Sequence, residues 1–154
     1  MATTIKAYGI EARQELNVKQ AIAKVDILPN LLAGYDADGF LILATNAVGA
    51  NVPATTMIKE GSEEHFNEMR GQVMINRPLR AGRAIDCYKE FTAYVAKNTF
   101  AVADYGKKVY LGVDGAFTIT IPATTGMLIQ DIGIVLDHDC VYIDLTKDGK
   151  GVQA

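Results

Sequence analysis

Alternation of apolar and polar residues, broken by Asp-Gly pairs, is the feature that most limits what this chain can fold into. Phe117, Ile119 and Ile121 alternate with Thr118 and Thr120. Val141, Ile143 and Leu145 alternate with Tyr142, Asp144 and Thr146, and Phe91, Ala93 and Val95 alternate with Thr92 and Tyr94. Ile132, Ile134 and Leu136 share one side of a further segment, with Gly133 and Val135 on the other. A side-chain period of two gives each set one face, so these stretches are expected as strands. Phe117, Ile119, Ile134 and Ile143 are then expected to point into the core. Phe40 to Ala44 is apolar throughout, the pattern of a strand covered on both faces.

The punctuation sets the connections. Asp38-Gly39 separates Leu31–Tyr35 from Phe40–Ala44, and Asp114-Gly115 separates Val109–Leu111 from Ala116–Ile121. Asp tolerates positive φ and Gly accepts it freely, so both pairs read as type I′ hairpins. The two hairpins resemble each other because they meet the same physical demands. Pro53 and Pro122 follow apolar stretches and would end strands. Ser62 is a good N-cap, Glu63 and Glu64 suit the positive helix end, and Gly71 suits the C′ position, which predicts one short helix with Phe66 and Met69 on its buried side. Residues 1–30 show no sustained alternation and read as an amphipathic helix or an extended arm, with the arm preferred. Residues 147–154, including Asp148-Gly149, read as a C-terminal tail. The expected fold is mainly β: a small β-barrel or β-tulip of antiparallel hairpins over 31–146, with one short helix and an N-terminal arm.

Composition narrows the function classes. At 154 residues and 49% hydrophobic, the chain can bury a core of its own without metal or disulfide staples. A net charge of −3 lacks the basic excess of a dedicated nucleic-acid binder. Lys6, Glu11 and Arg13 stand where a signal peptide would be apolar, and no run of about 20 apolar residues offers a membrane span. Cys87 and Cys140 form no CxxC pair; both read as buried thiols, with their mutual pairing left open.

Catalytic patterns find little support. Ser62, the only serine, lies in Gly61-Ser-Glu-Glu, without the glycine elbow of a nucleophile and with an N-cap role that explains it. Cys140 lies beside Asp139, whose charge would raise the thiol pKa. Asp137-His138-Asp139 groups three possible metal ligands, and Asp36-Ala-Asp-Gly opens like a calcium loop but lacks the third acidic position and the closing Glu. Turn chemistry explains both. Gly106-Lys107 lacks the spacing of a phosphate loop. Arg70, Arg77, Arg80 and Arg83 form the densest basic stretch and read as a solvated rim. No enzymatic turnover and no cofactor or metal are expected.

The order of these pieces resembles a known family. Asn30-Leu-Leu-Ala-Gly-Tyr-Asp-Ala-Asp-Gly-Phe-Leu-Ile-Leu-Ala, then Arg80-Ala-Gly-Arg-Ala-Ile-Asp, then Asp104-Tyr-Gly-Lys-Lys-Val-Tyr-Leu with Asp114-Gly-Ala-Phe-Thr, are similar to small phage head decoration proteins, also called capsid cement proteins. Ile129-Gln-Asp-Ile-Gly-Ile-Val-Leu and Cys140-Val-Tyr-Ile-Asp-Leu resemble that family's closing strands. The resemblance covers about residues 30 to 146. It implies a β-barrel or β-tulip on the outer capsid surface of the virion, made in the host cytoplasm and binding the major capsid protein, commonly as a homotrimer, with no nucleic acid or membrane partner. The family shares no catalytic motif, so no catalytic residue carries over. The long lead before residue 30 and the insertion from Glu60 to Arg70 depart from its shorter members. On this reading the arm would stay mobile until tied to a capsid, with Ile5, Tyr8 and Ile10 as its contact anchors. The alternatives are a phage tail, baseplate or head-fibre component on a similar barrel, and a cytosolic β-barrel ligand-binding domain or enzyme.

Overall fold

The computed structural model describes residues 4–7, 9–12, 19–28, 30–57, 81–82, 84–147 and 149–154. The protein is mainly β, and its largest element is a curled, half-barrel antiparallel sheet. Twelve strands occur among the described residues: β1 (Gly9–Ala12), β2 (Lys19–Ile22), β3 (Leu32–Tyr35), β4 (Leu41–Leu43), β5 (Thr56–Met57), β6 (Ala84–Cys87), β7 (Glu90–Tyr94), β8 (Lys108–Leu111), β9 (Phe117–Thr118), β10 (Leu128–Asp137), β11 (Cys140–Asp144) and β12 (Lys150–Val152). The main sheet runs β1-β7-β11-β10-β8-β9, with β12 added on β10. A pair β2-β6 and a three-stranded sheet β4-β3-β5 complete the strands. The helix expected from Ser62 and the four arginines Arg70, Arg77, Arg80 and Arg83 lie outside the described residues.

Regular alternation works in β7 and β11. Their register is unbroken from Cys140↔Tyr94 to Asp144↔Glu90. Phe91, Ala93, Val95, Val141, Ile143 and Leu145 are all buried, as expected, and they pack into one apolar cluster with Leu32, Val109, Leu111, Phe117 and Ile132. A second, smaller cluster gathers Ala23, Ile27, Ala33, Leu41 and Cys87.

In β10 the alternation reverses, and this corrects the expected face. Leu128, Gln130 and Ile132 point inward, but Ile134 is 38% exposed and Leu136 39%, while Val135 is buried. The pairing with β8 shifts register between Asp131 and Gly133, and that with β11 shifts between Val135 and Asp137. A bulge adds one residue to one strand, so every side chain beyond it changes face. Gly133 is the residue that permits this: a Cβ there would overlap the carbonyl oxygen of Tyr142. Ile121 is also exposed, because β9 ends at Thr118, whose Oγ1 accepts a hydrogen bond from the Thr120 amide (3.1 Å) and turns the chain away; Ile119 remains packed on the core.

The hairpins divide by turn type. Asp114 (φ 48°) and Gly115 (φ 80°) form the expected type I′ turn, closed by the Ala116 amide on the Val113 carbonyl. At the other, only Gly39 has positive φ. Its amide donates to the Asp36 carbonyl, so the turn spans Asp36–Gly39 with Gly39 in the bulge position.

Described residues near both ends of the chain are built into sheets, so strands occur within the expected arm and tail. Ile5 exchanges two backbone hydrogen bonds with Phe117 of β9, at 2.7 and 2.8 Å, while β1 pairs with β7 at the opposite edge of the main sheet. One short segment therefore touches both edges. β2 pairs with β6, and Ala23 bridges to Leu41. β12 pairs with β10 from Leu128↔Val152 to Gln130↔Lys150.

The face reversal in β10 makes a sharp comparison. Ile132→Ala should cost about 2–5 kcal/mol, whereas Ile134→Ala, two residues on, should cost under about 1 kcal/mol. Urea unfolding midpoints of the two variants would check this; equal losses would mean that the bulge does not reverse the strand.

Candidate functional site

The acidic groups that the sequence offers as ligands are occupied in shaping turns. Asp36 Oδ1 accepts the amides of Asp38 (2.9 Å) and Phe40 (3.0 Å), and Oδ2 pairs with Lys24 Nζ at 2.9 Å. The ammonium of Lys24, then these amides, hold the Asp36 carboxyl below its ordinary range, and Asp36 in turn raises Lys24. Asp137 Oδ1 accepts the Asp139 amide (3.1 Å), a bond that lowers the Asp137 pKa. Ligand atoms of Asp137, His138 and Asp139 do fall within 4.8 Å of one another, with His138 exposed. That is the geometry of a tight β10–β11 turn, and nothing further in it points to an ion. Asp104 accepts from Lys107 Nζ (2.7 Å) and the Ala101 amide (3.0 Å), which together lower its pKa.

The cysteines are both buried and are not joined by a disulfide. Cys87 lies in the smaller apolar cluster, beside Tyr35, whose hydroxyl is raised by burial first and by Cys87 second. Of the three expected anchor residues, Ile5 is 7% exposed and part of the main core, so its side chain is directed into the molecule rather than onto a free arm. The backbone of Ile10 pairs with Ala93 in β1–β7. Tyr8 lies outside the described residues.

A concave site occurs where the chain leaves β9. Asn46, Thr118, Ile121, Pro122 and Met127 help to line a cleft of about 380 Å³. Asn46 comes from the loop after β4, Thr118 from β9, and the remainder from the β9–β10 connection. Asn46 is 2% exposed; its Nδ2 donates to the Leu111 carbonyl (3.0 Å), and its Oδ1 has no hydrogen-bond partner. Gln130 makes a useful contrast. Equally buried, it uses both ends of its amide on Ala54, accepting from the amide and donating to the carbonyl at 2.8 Å each. Sequence reasoning missed both residues. Gln130 could have been found as the polar residue in an inward column between Leu128 and Ile132, but Asn46 carries no comparable signal.

Large apolar side chains are exposed at several places, including Val102, Tyr105, Val113, Ile134 and Leu136, and two further sets lie near the cleft and near β2 and β4. Val48, Ile121 and Val152 belong to the side that carries the cleft, since Val48 adjoins Gly126 and Val152 pairs with Leu128. Ile22, Val25, Leu28 and Phe40 belong to the side of β2 and β4, joined through the Ala23–Leu41 bridge. Among the described residues, no helix is long and apolar enough to cross a membrane. No protein-family model, curated protein or solved structure matches the chain.

Because the folded-state pKa of Asp36 lies below the ordinary 3.8, its ion pair and turn bonds stabilise the protein fully above that value. The contribution disappears as pH falls through the lowered folded pKa, where the carboxylate takes up its proton. Asp36→Asn should therefore lower the melting temperature at pH 7 and flatten its fall in acid. Melting curves from about pH 6 to 2 test this; an unchanged acid slope would remove Asp36 from the account. Asp104 and Asp137, also lowered, should leave a residual slope in the variant.

Proposed function

We propose that this chain is a structural virion protein that binds the outer surface of a phage capsid and stabilises contacts between major capsid subunits. The observation that carries the reading is two separate sets of exposed apolar side chains, Phe40 before β4 with Ile22 of β2, and Ile121 in the β9–β10 connection with Val152 of β12. A module that holds neighbouring subunits together has to grip more than one surface, and exposed apolar side chains are what protein contacts cover. The resemblance to decoration proteins supplies the identity of the partner. The same family pattern makes self-association as a homotrimer on the shell part of the proposal, since three copies around an axis multiply weak contacts through effective concentration. Stable specific interfaces bury about 1,200–2,000 Å² in total, more than one small patch supplies.

The test is co-sedimentation with expanded and unexpanded phage shells stripped of decoration protein. Saturable binding to expanded shells is expected, reduced at least tenfold by Phe40→Asp. Binding to isolated tails or baseplates in place of shells would overturn the capsid reading, and isolated single copies on the shell would overturn the trimer.

A further inference from the structure

We infer that the cleft beside Asn46 is a receptor for a neutral ring bearing one N–H or O–H donor, presented as an anchor side chain by a protein partner. This rests on the reading of the chain as a protein-binding module. Three observations specify the occupant. The volume, about 380 Å³, is at the small end for ligand sites, suited to one large side chain rather than a cofactor. The lining carries no acidic or basic residue, only Asn46, threonines and apolar groups such as Ile121, Pro122 and Met127, so a charged group would lose its hydration without compensation. The third is the acceptor. Asn46 Oδ1 is sealed from water and unpaired, while its Nδ2 is committed to Leu111, so the amide cannot turn to satisfy itself differently. A buried acceptor left in this state is a standing cost that an entering donor removes. For a ring donor to reach it, the acceptor has to become open to the cleft, whose lining includes the exposed side chains of Thr120 and Ile121. Indole and phenol rings combine one donor with an apolar body, and tryptophan and tyrosine are the side chains that most often anchor interfaces.

Indole and 1-methylindole, which share the ring and differ in the donor, are suitable probes. The protein contains no tryptophan, so indole fluorescence reports the probe alone. Titration of the full chain should show saturable indole binding, with methyl shifts confined to Thr118, Thr120, Ile121, Ala123, Thr124 and Met127, and at least tenfold weaker binding of 1-methylindole. Asn46→Ala should abolish the difference between the probes. Because that change also frees the Leu111 carbonyl, Ile121→Arg, at an exposed rim position, gives a second variant that should block both probes while leaving the melting temperature within a few degrees. Equal affinity for the two probes, or binding unaffected by Ile121→Arg, would overturn the site. Indole should also compete with shells in co-sedimentation. Shell binding that indole does not touch removes the anchor role and leaves the capsid reading standing. Indole binding without any shell binding removes the capsid reading and leaves a site for a free ligand.

Discussion

A curled sheet has two edges, each with a row of unpaired amides and carbonyls, and the rest of this structure depends on how those rows are closed. Residues 4–7 and 9–12 do so with one stretch of chain, bonding β9 through Ile5 and β7 through β1. The two contacts are unequal. Among the described residues, four residue pairs hold the β7 side, while a single pair, Ile5 with Phe117, holds the β9 side. Burial makes up the difference. Ile5, Ala7 and Phe117 all sit in the main apolar cluster, so opening this seam would expose core side chains as well as breaking two hydrogen bonds.

The Asp114-Gly115 hairpin shows the same economy at the junction of the sheets. Its tip is exposed at Val113 and Asp114 but buried at Gly115. The Gly115 amide donates to the Ala44 carbonyl and its carbonyl accepts from Leu32, so the turn is held between β3 and the end of β4. A Cβ at Gly115 would come within 2.8 Å of Leu31 Cβ and 3.0 Å of the Leu32 carbonyl. Glycine is needed there for positive φ and for clearance together. Asn46, two residues after Ala44, reaches Leu111 on the other arm of the hairpin, and the adjoining cleft inherits its position from this junction.

How much of this could be read from the residues follows from the range of the interactions involved. The faces of β7 and β11 were legible because an uninterrupted ladder preserves a period of two, as Phe91 to Val95 and Val141 to Leu145 demonstrate. The face of β10 beyond Gly133 was not, because Ile132, Ile134 and Leu136 keep their sequence spacing while the bulge changes their direction. The Asp114 turn could be typed from its two residues. The Asp36 turn could not, since Asp36 side-chain bonds and the distant Lys24 favour a different geometry. The first thirty residues concealed their strands for another reason. β1 and β2 are four residues each, Gly-Ile-Glu-Ala and Lys-Gln-Ala-Ile, too short for a pattern, and their pairing partners lie more than sixty residues away. The cleft was the least legible feature, assembled from loops whose residues look ordinary in sequence.

The two buried amides then separate what stabilises the fold from what is left over for another molecule. Gln130 meets a backbone donor and acceptor on one residue, Ala54, so it fastens the loop before β5 to the first part of β10 with both ends of its amide bonded. An amide with both ends satisfied repays its burial through specificity of register, because an apolar residue at that position would leave the Ala54 groups without partners. Asn46 does half of this. Its Nδ2 secures Leu111, and if stability were the only demand on the position, a side chain supplying that donor without an orphan acceptor would serve better. The surplus oxygen lies in a residue that lines a neutral, part-apolar cleft, next to exposed apolar side chains that a partner would cover. Burial cost, cleft chemistry and surface character coincide at one end of the molecule, and contact with another protein there resolves all three at once.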